Sequence, residues 1–366
     1  MIHKKSRLTL VVALMAVLAL FVASCSSDSD GDSSSSDDSS STPSASGIEG
    51  VSGDITGSGA SFPDAFYQEA IAGLADIAPD LTVTYNAIGS GSGKEEFGQG
   101  LNDFAGSDSL VEEGDGPEEG DYLYIPTTAS SVTVAYNLPG VDELDLDADT
   151  IAKIFQRDIT TWDDPAITEL NPDADLPDSE ITVARRADGS GTTKNFTKYL
   201  EAAAPDTWTL GSDDTVEWPA DTQGGQQNTG VAQIVQDTEG AVGYVDLGDA
   251  TTLELQTAYV ENVEGEFVAP SVEGTQAALA GAELADDNTY NPLNGPGEGA
   301  YPITAPTYIL VHPAYEDAEV GAAVVAFVEW LITDGAADYA EEVGFAPLPD
   351  ELQQAGLDTL ETVQVG

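Results

Sequence analysis

Residues 185–193, RRADGSGTT, place two arginines directly before a turn that is rich in glycine and hydroxyl side chains. A guanidinium offers paired N–H donors to a tetrahedral oxyanion. Glycine lets the backbone approach a ligand closely, and Ser and Thr add hydroxyl donors. Because the chain has only 10 Lys and Arg against 66 Asp and Glu, the position of a basic pair is informative. The combination indicates recognition of a small anion.

Two other segments have the same character, GSGASF at residues 57–62 and GSGSGK at residues 89–94. Each of the three comes directly before a predicted helix, whose first N–H groups are unpaired and carry the positive end of the helix dipole. Alone, such a turn is typical of a helix cap, but three together would surround a small oxyanion. The second segment is not a P-loop, because Ile88 stands at the position of the first glycine and Glu95 follows the lysine.

Strand-like and helix-like segments alternate downstream of residue 47, which favours an α/β architecture. The predicted strands are residues 81–86, 103–108, 131–137, 180–186, 241–247 and 303–311. The predicted helices are residues 149–155, 192–203, 230–237 and 319–332, together with one that begins near Pro63 and has apolar residues at helical spacing. Within the helix 319–332, the apolar positions Val324, Val325, Val328 and Leu331 are predicted to lie in the core. The segment that begins with ITGSGASF, at residue 55, is predicted to start with a turn before the helix that begins near Pro63.

The charge balance restricts the possible partners. A chain of 366 residues that is 41% hydrophobic can bury two cores. The large acidic excess excludes nonspecific binding of the folded body to nucleic acid or anionic lipid, since both require clustered Lys and Arg. An acidic surface of this density indicates a salty or otherwise demanding exterior.

The N-terminal sequence predicts the cellular location of the protein. Residues 1–24 have a basic start, an apolar run over residues 8–23 that is short for a membrane span, and small residues before the single cysteine, Cys25. The sequence VASC resembles a bacterial lipobox, in which the cysteine is lipidated and becomes the new N-terminus. Residues 25–47, rich in Ser and Asp, are predicted to be a disordered tether. We expect an extracytoplasmic protein that is lipid-anchored to the cell membrane; the alternative is an ordinary secretory signal with an incidental cysteine.

The chain resembles the phosphate-binding protein of bacterial ABC-type high-affinity phosphate importers. The segments that carry the resemblance occur in the family order and cover essentially the whole chain after the tether: GSGASFPDAFY, IGSGSG, DFAGSD, ITTWDDPAITELNP, RRADGSGTTKNFTKYL, GAVGYVDL and YPITAPTYILVH. The resemblance implies an α/β, two-lobed periplasmic-binding-protein fold of type II, with the ligand in the cleft between the lobes. It implies a first lobe of residues 48–131 and 305–366 and a second lobe of residues 132–304. Trp162 and Trp218 are expected near the lobe edges, without an assigned role.

The resemblance assigns four phosphate ligands to the first lobe. Ser61 and Phe62 match the first turn of the family site, where a hydroxyl and two backbone N–H groups point at phosphate. Ser90 matches the hydroxyl donor of the second turn. Asp108 matches the carboxylate that accepts a proton from the bound phosphate.

The resemblance assigns the charged donor to the second lobe. Arg186 matches the guanidinium that grips two phosphate oxygens, and Asp188 is expected to orient it. Ser190, Gly191 and Thr192 complete the donor set at a helix N-terminus.

Several other polar residues are expected to take no part. Arg185 should point to the opposite face of its strand, Lys94 and Lys194 should be solvated, and His312 should lie in a surface loop. With two histidines in the chain and Cys25 assigned to the anchor, no Cys/His nucleophile and no His/Cys metal site is predicted. We expect neither a cofactor nor an enzyme activity.

The function that the resemblance implies is capture of inorganic phosphate and its delivery to the membrane permease subunits of an ABC importer. A monomer that binds no nucleic acid is expected. Three alternatives stay open: a secreted phosphatase-like enzyme on the same scaffold, a binder of another oxyanion such as sulfate, and a structural or adhesive surface protein with a degenerate cleft.

The acidic surface predicts an unusual effect of salt on phosphate association. Once the leader is removed, seven basic residues remain against 66 acidic ones, so the protein repels free phosphate at long range. Screening by inert salt should therefore accelerate association, while short-range hydrogen bonds depend on salt much less. Stopped-flow association rates at increasing salt measure this. Rates that fall steadily would contradict it and indicate a local positive funnel.

Overall fold

The computed structural model describes residues 47–366 of the chain. The predicted leader, Cys25 and all but the last residue of the predicted tether lie outside the described residues. The strands are β1 (Gly53–Gly59), β2 (Leu81–Ala87), β3 (Phe104–Ser107), β4 (Leu123–Tyr136), β5 (Asp145–Leu146), β6 (Thr182–Arg186), β7 (Gln223–Gly225), β8 (Ala241–Asp246), β9 (Gln256–Thr257), β10 (Tyr259–Glu261), β11 (Phe267–Val268), β12 (Thr304–Val311), β13 (Ala314–Tyr315), β14 (Ala346–Pro347) and β15 (Gln364–Val365).

The helices alternate with these strands, as the sequence predicts for α/β architecture. They are α1 (Asp64–Ile77), α2 (Ser90–Gly98), α3 (Ala148–Phe155), α4 (Pro165–Leu170), α5 (Gly191–Ala203), α6 (Gln227–Asp237), α7 (Leu247–Thr252), α8 (Val272–Leu279), α9 (Ala318–Trp330) and α10 (Asp350–Leu360). The segment Leu331–Ala340 continues α9 as a π-helix. Many helices begin at a side chain that accepts a hydrogen bond from a first-turn N–H, which fixes the start of the helix. Such caps are Asp147, Ser190, Asp246, Ser271 and Asp317.

The main sheet consists of two parallel parts joined by two antiparallel strands. Its order is β2-β1-β3-β12-β4-β8-β6-β7. We call β1, β2 and β3 the first half-sheet and β6, β7 and β8 the second half-sheet, because the strands within each are parallel. Strands β4 and β12 run antiparallel to their neighbours and are buried almost throughout, which is typical of strands covered on both faces.

Strand β4 belongs to both parts of the sheet. It pairs with β12 up to Ser131 and with β8 from Val132 onward. This change of partner falls where the sequence predicts the chain to pass from residues 48–131 into residues 132–304. The limits of the lobes themselves remain a prediction.

The predicted turn before Ala60 is wrong, because Gly53–Gly59 forms strand β1. The glycines reflect close packing against β3 and not a reversal of the chain. A Cβ on Gly57 would lie 2.1 Å from the ring of Phe104, and one on Gly59 would lie 2.1 Å from the carbonyl oxygen of Gly106. The second glycine-rich turn is also shorter than predicted, since α2 already begins at Ser90.

The predicted helix 319–332 is confirmed as α9 and its π-helical continuation. Val324, Val328 and Leu331 are buried, and Val325 is partly buried. Among the described residues, Ala318–Val343 is the one helical stretch that is long and apolar enough to cross a membrane by length and composition. Its buried side chains pack on the sheet, so its apolar composition is that of a core helix.

The two tryptophans pack inside the fold. Trp162 is fully buried and donates its indole N–H to the carbonyl of Gly240 at 3.0 Å. Trp218 is partly buried and stacks on Tyr244 with ring centroids 6.0 Å apart.

Candidate functional site

The three glycine-rich segments meet at the carboxyl ends of parallel strands. Strands β1, β2 and β3 end in register, with Gly59 beside both Ala87 and Gly106. Ser61, Ser90 and Asp108 follow these three ends, where open α/β sheets bind their ligands.

The turn after β6 lies against the turn after β2. The N–H of Gly91 donates to the carbonyl of Gly189 at 3.2 Å. A Cβ on Gly191 would lie 2.7 Å from both Ser90 Oγ and Asp108 Cβ. Residues from both half-sheets therefore form one site, and glycine at position 191 makes the close approach possible.

Arg186 is buried at the end of β6, and its guanidinium is held on two sides. Nε donates to Asp188 Oδ1 at 2.8 Å, and Nη2 pairs with Asp188 Oδ2. Nη1 donates to Asn228 Oδ1 at 2.9 Å and to Thr192 Oγ1 at 3.4 Å. Asp188 thus orients Arg186 through two parallel bonds, which is the arrangement that the sequence predicts for this pair.

Asp108 is a buried carboxyl with two hydroxyl partners. Thr307 Oγ1 donates to its Oδ1 at 2.8 Å, and Ser90 Oγ lies 3.4 Å from its Oδ2. Burial raises the pKa of Asp108 from 3.8 to about 7, although the hydrogen bond from Thr307 and the charge of Arg186 oppose the shift. Near neutral pH, this carboxyl can therefore either hold a proton or accept one in a hydrogen bond.

The other predicted ligands lie around this pair. Ser61 Oγ accepts the N–H of Asn228 at 3.3 Å. Phe62 is buried and packs edge-to-face on Phe345, with ring centroids 5.5 Å apart. Ser190 Oγ caps α5 by accepting the N–H of Thr193 at 3.1 Å.

Gly191 and Thr192 form the first turn of α5, so their N–H groups belong to the unpaired start of a helix. The structure thus brings all eight predicted ligand residues into one region. Their role as phosphate ligands remains a prediction.

Lys94 is buried, so the expectation that it is solvated is wrong. Its Nζ lies 2.6 Å from Asp115 and 3.0 Å from Asp214, with 1% of the side chain exposed. Burial lowers the pKa of Lys94, but the charge of Asp214 and the hydrogen bonds to both carboxylates outweigh burial, and the net pKa is raised. Lys94 lies on α2, between β2 and β3 of the first half-sheet. Asp214 lies on the loop between α5 and β7, on the side of the second half-sheet, so the ion pair links the two sides of the site.

Lys194 is also buried rather than solvated. It pairs with Glu112 at 2.7 Å, again joining α5 to the loop after β3. Sequence reasoning missed both ion pairs because an acidic chain offers too many carboxylates for any one partner to stand out.

The remaining singled-out residues lie outside this cluster. Arg185 donates to Thr222 Oγ1 at 3.3 Å and to the carbonyl of Arg186 at 3.0 Å, so its side chain points away from the guanidinium of Arg186, as predicted. His312 follows β12, and its ring stacks on Phe97 with centroids 4.0 Å apart. It is partly buried rather than free on the surface. In residues 47–366 no group of three or more His, Cys, Asp or Glu side chains could hold a metal ion.

Sequence reasoning missed several polar residues of the site. Thr307 and Asn195 hold Asp108, the latter by donating to its carbonyl oxygen at 2.6 Å. Asn228 contacts both Arg186 and Ser61. The sequence feature that could have identified Asn228 is the segment GGQQN, residues 224–228, which combines glycines with polar side chains at the start of α6. It differs from the other three segments because it has no hydroxyl group.

Comparisons with known proteins show which family the chain belongs to. A family model described as the PBP superfamily domain matches residues 40–335. The phosphate-binding protein PstS of Pasteurella multocida is 35% identical over 82% of this chain and 88% of its own length. PstS of Methanocaldococcus jannaschii is 33% identical over 84% of this chain and 85% of its own. The fold is similar to that of the phosphate-bound periplasmic protein PfluDING, with a TM-score of 0.68 and 23% identity over 82% of this chain and 92% of that chain.

The raised pKa of Asp108 predicts that the contribution of this carboxyl to the stability of the ligand-free protein falls as pH rises. Below about pH 4 the carboxyl is protonated in the folded and unfolded states, and above about pH 7 it is ionised in both, so the loss accrues between these values. A shift of about three units corresponds to roughly 4 kcal/mol. Asp108→Asn removes the carboxyl, so the variant should gain stability relative to wild type from pH 4 to pH 7. Chemical denaturation in phosphate-free buffer measures the difference, and a pH-independent difference would contradict the assignment.

Proposed function

Since the chain belongs to the PBP superfamily, and within it to the phosphate-binding proteins named PstS, we propose that it captures inorganic phosphate outside the cytoplasm and delivers it to the permease subunits of an ABC importer. The observation that carries the proposal is the meeting of Arg186, Asp108 and the three glycine-rich segments in one buried region. This combination offers a full positive charge, a carboxyl and several neutral donors to one ligand.

The proposed ligands comprise one charged donor and several neutral donors. Arg186 supplies the charge, and its geometry suits two oxygens of a tetrahedral anion. The neutral donors are hydroxyl groups and the N–H groups at the starts of helices, which favour an anion without adding charge. They are Ser61, Phe62, Ser90, Ser190, Gly191 and Thr192.

Asp108 is proposed to select phosphate over sulfate. Phosphate near neutral pH carries at least one proton, whereas sulfate carries none. The carboxylate can accept an O–H hydrogen bond from phosphate but faces a sulfate oxygen with no proton between them. Sites that leave a buried polar group unpaired discriminate by roughly 10⁴-fold or more.

The neutral variant Asp108→Asn should lower this selectivity. The amide oxygen can still accept a hydrogen bond from phosphate, and the amide nitrogen can now donate to sulfate, so sulfate gains affinity while phosphate keeps much of its own. The ratio of the two dissociation constants, from calorimetric titration at fixed pH and ionic strength, measures the effect. Asp147→Asn is a matched control that should leave the ratio unchanged, because Asp147 accepts the N–H of Thr150 at the start of α3 and asparagine can accept the same bond. If Asp108→Asn leaves the ratio unchanged, Asp108 is not the selectivity residue.

A phosphatase on the same scaffold is the second candidate. The relatives are named as binding proteins, which favours stoichiometric binding without turnover. Titration of the phosphate-stripped protein with phosphate, sulfate and arsenate tests the proposal, and absence of phosphate binding would overturn it. Steady hydrolysis of a chromogenic phosphate ester by the purified protein would instead support the enzyme.

We further propose that lipidated Cys25 anchors the protein to the cell membrane as a monomer. Cys25 is the single cysteine of the chain and is followed at once by the Ser/Asp tether. Cys25→Ser should remove the acylation site, so the protein should move from the membrane fraction to the medium, whereas Ser26→Ala should stay with the membrane. Quantification of both variants in the two fractions measures this. Retention of the Cys25→Ser variant would show that the cysteine is incidental.

A further inference from the structure

The amide of Asn228 connects the guanidinium of Arg186 to a second buried carboxylate. Asn228 is fully buried; its Oδ1 accepts from Arg186 Nη1 at 2.9 Å, and its Nδ2 donates to Asp246 Oδ2 at 3.0 Å. Arginine can only donate, so the amide oxygen faces Arg186 and the amide nitrogen is left to donate to Asp246. Asn228 therefore separates the guanidinium from Asp246 while it bonds to both.

Asp246, which accepts the amide N–H of Asn228, is itself held by a second hydrogen bond. It is buried at the end of β8, and its Oδ1 caps α7 by accepting the N–H of Asp249 at 2.8 Å. Two residues earlier on the same strand, the hydroxyl of Tyr244 accepts the backbone N–H of Arg186 at 3.1 Å. The end of β8 thus supports both the backbone and the side chain of Arg186.

The start of α6 also contacts the rest of the site. The N–H of Asn228 donates to Ser61 Oγ at 3.3 Å, and the N–H of Gln227 donates to Asp188 Oδ1 at 3.1 Å. Gln227 has a φ of 60°, a left-handed conformation that is costly for a residue with a side chain and persists where surrounding contacts hold it. This left-handed residue directly precedes Asn228, which contacts both Arg186 and Ser61.

We propose that Asn228 is a positioning residue for anion binding, an inference that rests on the proposed function. Asp188 holds one edge of the guanidinium, and Asn228 holds Nη1 on the other side. Without the amide, Nη1 loses its fixed acceptor and the guanidinium can turn toward the carboxylate of Asp246, away from the ligand. The N–H of Asn228 also bonds to Ser61, which follows β1 of the first half-sheet, so the contact between the two sides of the site and the alignment of Arg186 are linked.

A double-mutant cycle separates positioning from a general effect on the fold. Phosphate dissociation constants are measured by calorimetry for wild type, Asn228→Ala, Arg186→Lys and the double variant. Asn228→Ala should weaken binding by about ten- to a hundredfold, the range for a hydrogen bond to a charged group. Lysine has no guanidinium to align, so in the Arg186→Lys background the same substitution should change affinity by less than about threefold.

Two further variants keep the result interpretable. Asn171→Ala is the matched control: Asn171 is also buried and makes three hydrogen bonds, to Asp145 and Ile167, so its loss should lower the melting temperature without changing phosphate affinity. Asn228→Leu is close in size and serves if the alanine variant does not fold; it removes the amide without adding a charge, so it too should weaken binding much more in the Arg186 background than in the Arg186→Lys background.

The outcomes distinguish this inference from the proposed function. Equal losses of affinity in the Arg186 and Lys backgrounds, or no loss in either, would overturn the positioning role while phosphate binding by the wild type stands. Absence of phosphate binding by the wild type would overturn the proposed function and this inference with it.

Discussion

A buried guanidinium has to remain available to an anion although carboxylates surround it. Arg186 lies in a chain with 66 acidic residues, and a carboxylate that paired with its whole donor edge would take the place of the ligand. Within residues 47–366, Asp188 is the one carboxylate that pairs with it directly, along one edge. Asp246 is kept apart by the amide of Asn228, and Asp108 is bound by the hydroxyl of Thr307. In the proposed site, neutral hydrogen-bonding groups thus leave the positive charge of Arg186 to the ligand.

Two of the few lysines also connect the two sides of the site through ion pairs. Lys94 and Lys194 each pair with a carboxylate from the opposite side, at 3.0 Å from Asp214 and 2.7 Å from Glu112. The Lys94–Asp214 pair is mostly buried; such a pair contributes little net stability over an apolar pair, but breaking it costs about 3–5 kcal/mol because a charge is left uncompensated. The side chain of Glu112 is 56% exposed, so its pair with Lys194 is screened by solvent and contributes much less. These pairs therefore specify how the sides meet, while strands β4 and β12 provide the continuous backbone link.

Burial of basic side chains also changes the charge of the protein surface. The side chains of Lys94, Arg157, Arg186 and Lys194 are each less than a tenth exposed. The fold withdraws more than half of the seven basic residues that follow the leader, so the exterior is more acidic than the composition alone suggests. We therefore expect capture of an anion to depend on short-range donors inside the proposed site and not on attraction at long range.

The sequence by itself determined the α/β class, most strands and helices, the family and the anion-binding character, because periodicity, caps and glycine-rich turns are encoded by residues close together in the chain. It could not identify β1, whose glycines are explained only by contact with Phe104 and Gly106 on β3. It also predicted a solvated Lys94, because the residues next to it are charged and its true partners lie 21 and 120 positions away. Only the tertiary structure decided which neutral groups hold the buried charges. Thr307 reaches Asp108 across 199 positions and Asn228 reaches Ser61 across 167, and such pairings depend on how the chain crosses between the half-sheets rather than on any local pattern.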